Sequence, residues 1–205
     1  VLPAVFASEH VAGKLYACAY TESTAATRIY VSTDGAGVVW SNLDSNTQSN
    51  LSPGLTIPVQ ATSDNIIYHG GETSGKFHLY KTVNGTRSDV SPVVGGEWFG
   101  PRSSSFAVKT CDIDQNTVLL VGESAVTSKF GVFLSRDGAQ TWTTLIAPDS
   151  GVLWRSCNIA GDDRSTFFLW GANGALAVSY DGGATWLDRS YPGVTAALFL
   201  NIIGR

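Results

Sequence analysis

The stretch Ser179-Tyr180-Asp181-Gly182-Gly183-Ala184-Thr185-Trp186 follows a short apolar run and combines a carboxylate, two glycines, hydroxyl groups and an indole. Glycine supplies the positive-φ backbone that a tight turn requires, and serine and aspartate side chains accept hydrogen bonds from backbone N–H groups. The threonine and the tryptophan then begin a returning strand, where the indole can bury apolar area. The stretch therefore predicts a hairpin that is closed by its own side chains.

Three less complete copies of this stretch precede it in the chain. Residues 135–142 read SRDGAQTW, residues 32–40 read STDGAGVVW with one extra residue, and residues 82–88 read TVNGTRS. The markers Asp34, Asn84, Asp137 and Asp181 are separated by 50, 53 and 44 residues. A period of this size is typical of β-propeller blades and other repeat arrays. We therefore expect four copies of one supersecondary unit.

These copies resemble the Asp-box, or BNR, repeats of β-propellers such as sialidases, sortilin-type receptors, fungal lectins, some endoglucanases and a photosystem assembly factor. In that family the Asp-box joins the third and fourth strands of a blade, at the end away from the ligand. The resemblance implies a structural role for eleven residues. They are Ser32, Asp34, Trp40, Asn84, Ser135, Asp137, Trp142, Ser179, Asp181, Gly183 and Trp186.

The predicted fold is an all-β propeller made of four-stranded antiparallel blades, each with its first strand innermost. Inner strands are expected at residues 4–8, 57–61, 106–111 and 154–159, and second strands at 15–20, 65–69, 117–121 and 166–170. The approximate blades are 1–52, 53–100, 101–150 and 151–195. Residues 196–202 read as one extra strand. We therefore expect a single propeller domain, or a fragment of a larger propeller that further chain or other subunits complete.

Composition narrows the class of protein. The 22 glycines and the low charged fraction of 15% suit many short strands joined by turns. A net charge of −4 without a Lys/Arg cluster argues against nucleic acid, and no apolar run is long enough to span a bilayer. The histidines and the cysteines Cys18, Cys111 and Cys157 lack metal-ligand spacing, so no metal and no cofactor is expected. The cysteines are expected to be buried free thiols.

Polar residues recur where each second strand is expected to end. Glu22, Glu72 and Glu123 lie at comparable places in the first three repeats, and Asn173 replaces them in the fourth. Glutamates on one rim can hydrogen-bond sugar hydroxyls, bind a hard cation or perform glycosidic acid/base chemistry. They can equally be solvated hairpin residues of the repeat.

Aromatic residues concentrate in the connection between the second and third repeats, where Trp98 lies in a glycine-rich segment that also contains Arg102. An aromatic ring stacks on the C–H face of a saccharide while nearby polar groups bind its hydroxyls. The alternative is that Trp98 fills the seam between two blades. We take Trp98, Arg102, Glu72, Glu123, Glu22 and Asn173 as the candidate ligand-binding residues.

Catalytic signatures are lacking in this sequence. Residues 28–30 read RIY inside a predicted strand and lack the proline of the Arg-Ile-Pro motif that sialidases of this fold carry. No GxSxG or phosphate-binding loop occurs either. We therefore assign no catalytic residue and lean towards a protein that is not an enzyme.

The function expected from these observations is non-catalytic recognition of a carbohydrate or a cell-surface receptor. Low charge and Ser/Thr/Gly-rich loops suit an extracellular or virion-surface protein, for example a phage tail or receptor-binding component. Protein partners or further copies of the chain are also possible partners. Two alternatives stay open: a glycoside hydrolase fragment that uses rim glutamates, and a platform for protein assembly.

Overall fold

The computed structural model describes residues 4–7, 12–21, 26–48, 59–61, 66–73, 75–101, 108–111, 113–124, 126–148, 151–160 and 163–190. Among these residues there is no α-helix, and one short 3-10 turn occurs at Ala172–Gly174. The rest of the regular structure is antiparallel sheet. The prediction of an all-β chain of four-stranded blades is confirmed.

Four sheets follow one another along the chain, each a meander whose strands pair in sequence order. Sheet I contains β1 (Ala4–Ala7), β2 (Leu15–Thr21), β3 (Ala26–Ser32) and β4 (Ser41–Gln48). Sheet II contains β5 (Val59–Ala61), β6 (Ile66–Thr73), β7 (Lys76–Val83) and β8 (Thr86–Asp89). A small hairpin, β9 (Val93–Val94) and β10 (Glu97–Trp98), comes next.

The two remaining sheets repeat the same order of strands. Sheet III contains β11 (Val108–Cys111), β12 (Asp114–Glu123), β13 (Phe130–Ser135) and β14 (Thr143–Leu145). Sheet IV contains β15 (Trp154–Ile159), β16 (Phe167–Gly171), β17 (Leu176–Ser179) and β18 (Leu187–Asp188). The predicted strand at residues 196–202 lies outside the described residues, and the predicted blade boundaries stay predictions.

Acidic turns join the third and fourth strands of sheets I, III and IV. In sheet III, Asp137 Oδ1 accepts hydrogen bonds from Ser135 Oγ at 2.8 Å and from the backbone N–H of Thr141 at 2.9 Å. Ser135 Oγ in turn accepts the N–H of Ala139 at 2.8 Å. Sheet IV repeats the serine contact, where Ser179 Oγ accepts the N–H of Gly183 at 2.8 Å. Each turn thus satisfies its own backbone donors, which an irregular loop must do.

The turn of sheet II is different from the other three. Val83 pairs directly with Thr86, so Asn84 and Gly85 form a two-residue hairpin turn with φ of 48° and 85°. Positive φ at both central residues is the type I′ geometry that Asn-Gly favours. The sequence predicted a degraded acidic turn with Asn84 in the place of the aspartate. The structure corrects this prediction, because a two-residue turn has no room for the longer loop.

Within the described part of the chain, two apolar seams join sheets II, III and IV face to face. Successive residues of β13 belong to different seams: Phe133 faces sheet II, whereas Val132 and Leu134 face sheet IV. The seam between sheets II and III contains Tyr68, Leu79, Phe99, Val108, Val118, Leu120, Phe133 and Ala139. The seam between sheets III and IV contains Cys111, Leu119, Val121, Val132, Leu134, Trp154, Cys157, Ile159, Phe167, Leu169 and Ala177. Sheet III is therefore buried on both faces.

The cysteines of the second seam agree with expectation. Cys111 and Cys157 are free thiols, and both are buried. Burial raises the pKa of the Cys157 thiol to about 12. A thiol in this environment stays protonated and unreactive at neutral pH.

Candidate functional site

The meander topology separates two ends of the sheets. The loops between second and third strands and the connections from one sheet to the next share one end, which we call the rim. The acidic turns lie at the opposite end, together with the turns between first and second strands. Of the candidate ligand-binding residues that the structure describes, Trp98 and Asn173 lie in rim segments, and Glu72 and Glu123 lie near the rim ends of their strands.

Trp98 lies in the rim hairpin between sheets II and III. Gly95 and Gly96 form its two-residue turn with φ of 60° and 82°, and Trp98 pairs with Val93. The next residue, Phe99, is buried in the seam, so Trp98 points the other way and is partly exposed. Local strand alternation therefore keeps the indole at the surface.

A close backbone approach places this hairpin beside sheet II. A Cβ atom at Gly100 would lie 2.4 Å from the backbone nitrogen of His78, so only glycine allows the chain to pass this close to β7. As a result, the Nζ atom of Lys76 lies 3.9 Å from the centre of the Trp98 ring. The His78 ring lies 6.2 Å from the same indole in a tilted arrangement. A cation and an aromatic ring thus share one site at the rim.

His78 is itself held firmly under the indole. Its Nδ1 atom lies 2.6 Å from Asp89 Oδ2, and its ring stacks on Tyr80 with centroids 5.7 Å apart. Asp89 Oδ1 accepts the backbone N–H of Ser91 at 3.0 Å. The support under Trp98 therefore comes from two strands of sheet II and from the turn that follows β8.

The hairpin is also tied to the rim loop of sheet III. Thr127 Oγ1 donates a hydrogen bond of 2.6 Å to Glu97 Oε2. Hydrogen bonds from Thr127 and Ser124, and the charge of Lys129, hold the pKa of Glu97 below its usual value. The backbones of Gly100 and Glu123 also exchange hydrogen bonds of 2.8 and 3.3 Å. Trp98 is therefore positioned by contacts to both neighbouring sheets.

Glu123 does not present its side chain at the surface. It ends β12, pairs with Phe130 and is only 2% exposed. The sequence placed it in a loop, but β12 extends two residues beyond the predicted end at residue 121. The structure therefore corrects the prediction of a surface-exposed Glu123, because the side chain is buried.

The other candidate residues stand as follows. Glu72 lies inside β6 and pairs with Phe77, because β6 also runs longer than predicted. Asn173 is exposed on the rim, with φ of 58° in the left-handed region that asparagine tolerates. Glu22 and Arg102 lie outside the described residues. Their roles as ligand residues stay predictions.

Sequence reasoning missed Lys76 and the pair formed by Glu97 and Thr127. The lysine lies 22 residues before Trp98 and belongs to a different hairpin. No spacing rule for a strand or a helix connects two such positions. Their contact depends on the path of the chain past Gly100, which is a property of the tertiary structure.

Solved structures resemble this fold, although no protein-family model and no curated protein matches the sequence. A GH74 enzyme of Niastella koreensis is 18% identical with a TM-score of 0.63, over 94% of this chain and 30% of its own. The GH74 xyloglucanase from Xanthomonas campestris is 17% identical with a TM-score of 0.59, over 87% and 28%. YCF48 from Cyanidioschyzon merolae is 13% identical with a TM-score of 0.58, over 89% and 57%.

These likenesses show a β-propeller fold. The chain spans less than a third of the length of the two GH74 structures. In the part of the chain that the structure describes, no helix has the length and apolar character needed to cross a bilayer.

Proposed function

We propose that this chain is a non-catalytic carbohydrate-binding module of the propeller type, with its ligand on the rim around Trp98. The observation that carries the proposal is the partly exposed indole held between sheets II and III, with the ammonium group of Lys76 over its ring. An indole stacks on the C–H face of a sugar ring, and an ammonium group donates hydrogen bonds to hydroxyls. Two of the similar structures are GH74 enzymes, one of them a xyloglucanase, which supports a carbohydrate ligand.

The ammonium group of Lys76 has no carboxylate within ion-pair distance among the described residues. Its N–H donors therefore stay available to an incoming ligand. Exposed Asn173 adds an amide at the same end of the molecule. An indole, an ammonium group and an amide together suit a neutral or weakly acidic saccharide better than a strongly basic partner.

We further propose an extracellular or virion-surface location, for which the low charge and the Ser/Thr/Gly-rich loops are the support. A surface glycan of a cell is then the natural ligand, either free or on a receptor. A protein partner on the same face is the competing outcome.

The experiment measures binding of xyloglucan oligosaccharides and a glycan array to the wild-type chain and to Trp98→Ala. We expect Trp98→Ala to lose at least about tenfold in affinity while keeping its thermal unfolding midpoint within a few degrees. Tyr180→Ala is the matched control, because Tyr180 is an exposed aromatic residue at the opposite end. Equal glycan binding by Trp98→Ala and the wild type would refute the proposed site.

The hydrolase alternative needs two carboxyl groups about 5–9.5 Å apart across a groove. Glu123 is buried, and the side chains of Glu22 and Glu72 are not among those the structure describes. Release of reducing ends from xyloglucan by the wild-type chain, lost in Glu72→Gln, would favour this alternative over our proposal. Capture of a protein without glycan binding would favour an assembly platform.

A further inference from the structure

A groove opens at the end of the molecule opposite the rim, where sheets III and IV meet. It measures about 550 Å³ and is lined by Ile113, Arg136, Asp163, Arg164 and Ser165. Arg136 belongs to the acidic turn of sheet III, and residues 163–165 form the turn before β16 of sheet IV. The volume falls in the range of small-molecule sites.

Arg136 lines this groove and is fixed by the Nη1 atom of its guanidinium group. Its Nη1 atom donates to the hydroxyl of Thr117 at 3.1 Å and to the backbone carbonyl of Arg164 at 2.9 Å. The guanidinium carbon lies 5.6 Å from the centre of the Phe167 ring. A guanidinium carries five N–H donors, so these contacts use the two on Nη1. Among the described residues, no acceptor bonds to Nε or Nη2 of Arg136.

A second cation lies close to the first. The Nη1 atom of Arg164 lies 3.3 Å from Asp114 Oδ2, and the side chain of Arg164 is 62% exposed. Burial lowers the pKa of Arg136 and the positive charge of Arg164 lowers it further, whereas the charges of Asp114 and Asp163 raise it. The two guanidinium groups are therefore near enough to repel each other, and an anion bound to both would relieve that repulsion.

The described carboxylates at the groove are held mainly within their own turns, and Asp114 also pairs with Arg164. Asp114 and Asp163 each accept a backbone N–H from two residues further along and a hydroxyl from three residues further along. Hydrogen bonds of this kind hold the pKa of both carboxyls below the usual value. Neither carboxylate forms a hydrogen bond with Arg136, and among the described residues Nε and Nη2 of Arg136 have no charged hydrogen-bond acceptor; Nη2 lies beside Gly182 in the acidic turn of sheet IV.

We propose that this groove binds a small organic anion, whose carboxylate or phosphate group is held by the Nε–Nη2 edge of Arg136 and by Arg164. A planar guanidinium edge binds two oxygens of one oxyanion at once, which makes the contact both strong and directional. Ile113 is 63% exposed at the same groove and offers an apolar wall to the carbon skeleton of the ligand. This site is separate from the rim and does not depend on the function proposed for it.

The test is calorimetric titration of the whole chain with three probes: inorganic phosphate, phenyl phosphate and benzoate. We expect saturable binding of phenyl phosphate or benzoate, and Arg136→Gln weakens it at least about tenfold because the bidentate contact is lost. Tighter binding of phenyl phosphate than of inorganic phosphate would assign a role to Ile113. Tighter binding of benzoate than of phenyl phosphate would identify a carboxylate as the preferred group.

Arg87→Gln is the matched control, because it removes the same charge from sheet II, where Arg87 lies over the Tyr80 ring. We expect Arg87→Gln to bind as the wild type does. If Arg136→Gln fails to fold, binding of the same probes to Arg164→Gln tests the proposal instead, because the side chain of Arg164 is exposed and can be changed with little effect on packing. We expect Arg164→Gln to lose affinity several-fold. Wild-type affinity in Arg164→Gln, or no saturable binding of any probe below about 10 mM, would overturn the proposal.

Discussion

The aspartate of each acidic turn accepts several hydrogen bonds at once. Asp34 accepts the backbone N–H groups of four successive residues, 36–39, and the hydroxyl of Ser32. Asp137 and Asp181 each accept their main hydrogen bonds from the threonine four residues later, through its hydroxyl and its backbone N–H. All these donors favour the ionised carboxylate, because a carboxylate accepts stronger hydrogen bonds than a carboxylic acid. The turns are therefore held together by charge as well as by shape.

Stability should depend on pH through these carboxylates. Hydrogen bonding lowers the pKa of Asp137 and of Asp181 to about 2, whereas an unfolded aspartate titrates near about 3.9. A carboxyl whose pKa is lower in the folded state stabilises the fold above the unfolded pKa. We therefore expect the unfolding midpoint to be flat above about pH 5 and to fall between about pH 4 and pH 2.

Thermal unfolding of the wild type and of Asp137→Asn over this pH range measures the effect. The variant has one turn carboxylate fewer to protonate. Its unfolding midpoint should therefore be lower than that of the wild type near neutral pH and should fall less steeply as the pH is lowered. Parallel curves for the two proteins would show that the turn carboxylate makes no pH-dependent contribution.

The tryptophans that end two of the turns make different contacts despite their equal place in the motif. Trp142 Nε1 donates a hydrogen bond of 2.7 Å to the carbonyl of Val90 in the neighbouring sheet II. Trp186 Nε1 is buried and has no hydrogen-bond partner among the described residues. The first indole therefore links two sheets by a polar contact, and the second contributes through apolar packing.

We expect Trp142→Phe to cost about 1–3 kcal/mol more than Trp186→Phe, because only the first leaves a carbonyl without its donor. Both variants lose a similar amount of apolar area, so each serves as the control for the other. Urea unfolding measures the difference. An equal loss of stability in both variants would contradict the assigned role of the Val90 contact.

Among the strands and turns, a second side-chain hydrogen bond recurs that the acidic-turn motif does not include. The backbone N–H of Leu79 in β7 donates to Ser91 Oγ at 2.9 Å, and Leu176 in β17 donates to Ser190 Oγ at 3.1 Å. Each serine follows an aspartate by two residues, at the end of a fourth strand. The signal in the sequence is the pair of segments 89–91 and 188–190, which read DVS and DRS. It is short, so it stands out only once the strands are known.

The hairpin turn of sheet II makes a prediction about glycine. Gly85 has φ of +85°, and a Cβ atom there would lie 2.7 Å from the carbonyl oxygen of Leu43 in sheet I. Gly75, in the turn between β6 and β7 of the same sheet, has φ of +70°, and no atom lies within 4 Å of a Cβ built there. We expect Gly75→Ala to cost about 1–2 kcal/mol from the left-handed backbone alone, and Gly85→Ala to cost clearly more.

Chemical denaturation of the two alanine variants separates the two effects, since both share the backbone strain and only Gly85→Ala adds the collision with sheet I. Equal costs would mean that sheets I and II do not meet at this turn.

At the scale of the whole molecule, sheet III is the centre of the described structure. Its two faces pack on different neighbours, and consecutive residues of one strand belong to different seams. Leu119 packs towards sheet IV and Leu120 towards sheet II, and both are fully buried. A strand that is covered on both faces needs apolar residues at every position, as the run 118–121 shows.

Truncation of these two leucines should loosen the molecule in two different places. We expect Leu119→Ala and Leu120→Ala each to cost about 2–5 kcal/mol, because both leave a cavity in a packed seam. Hydrogen exchange should accelerate chiefly in sheet IV for Leu119→Ala and chiefly in sheet II for Leu120→Ala. The same exchange pattern in both variants would show that the sheets do not open separately.

Much of this architecture could be predicted from local patterns. The period of the acidic turns gave the repeat unit, and the alternation of apolar residues gave most strands to within a few positions. The predicted ends of β6 and β12 were too early, because strand length depends on pairing with the next strand. That error placed Glu72 and Glu123 in loops, and it changed the expected site.

The repeating sheet and the acidic turns follow from local sequence, because a turn and a meander form from residues that are near neighbours in the chain. Which side chains meet at the rim and in the groove depends on how the sheets pack. Lys76 on sheet II reaches Trp98 on the hairpin that follows the sheet, and Arg136 reaches Arg164 between sheets III and IV, although neither pair consists of near neighbours in sequence. Such contacts follow from the packing of one sheet on the next, which no local spacing encodes.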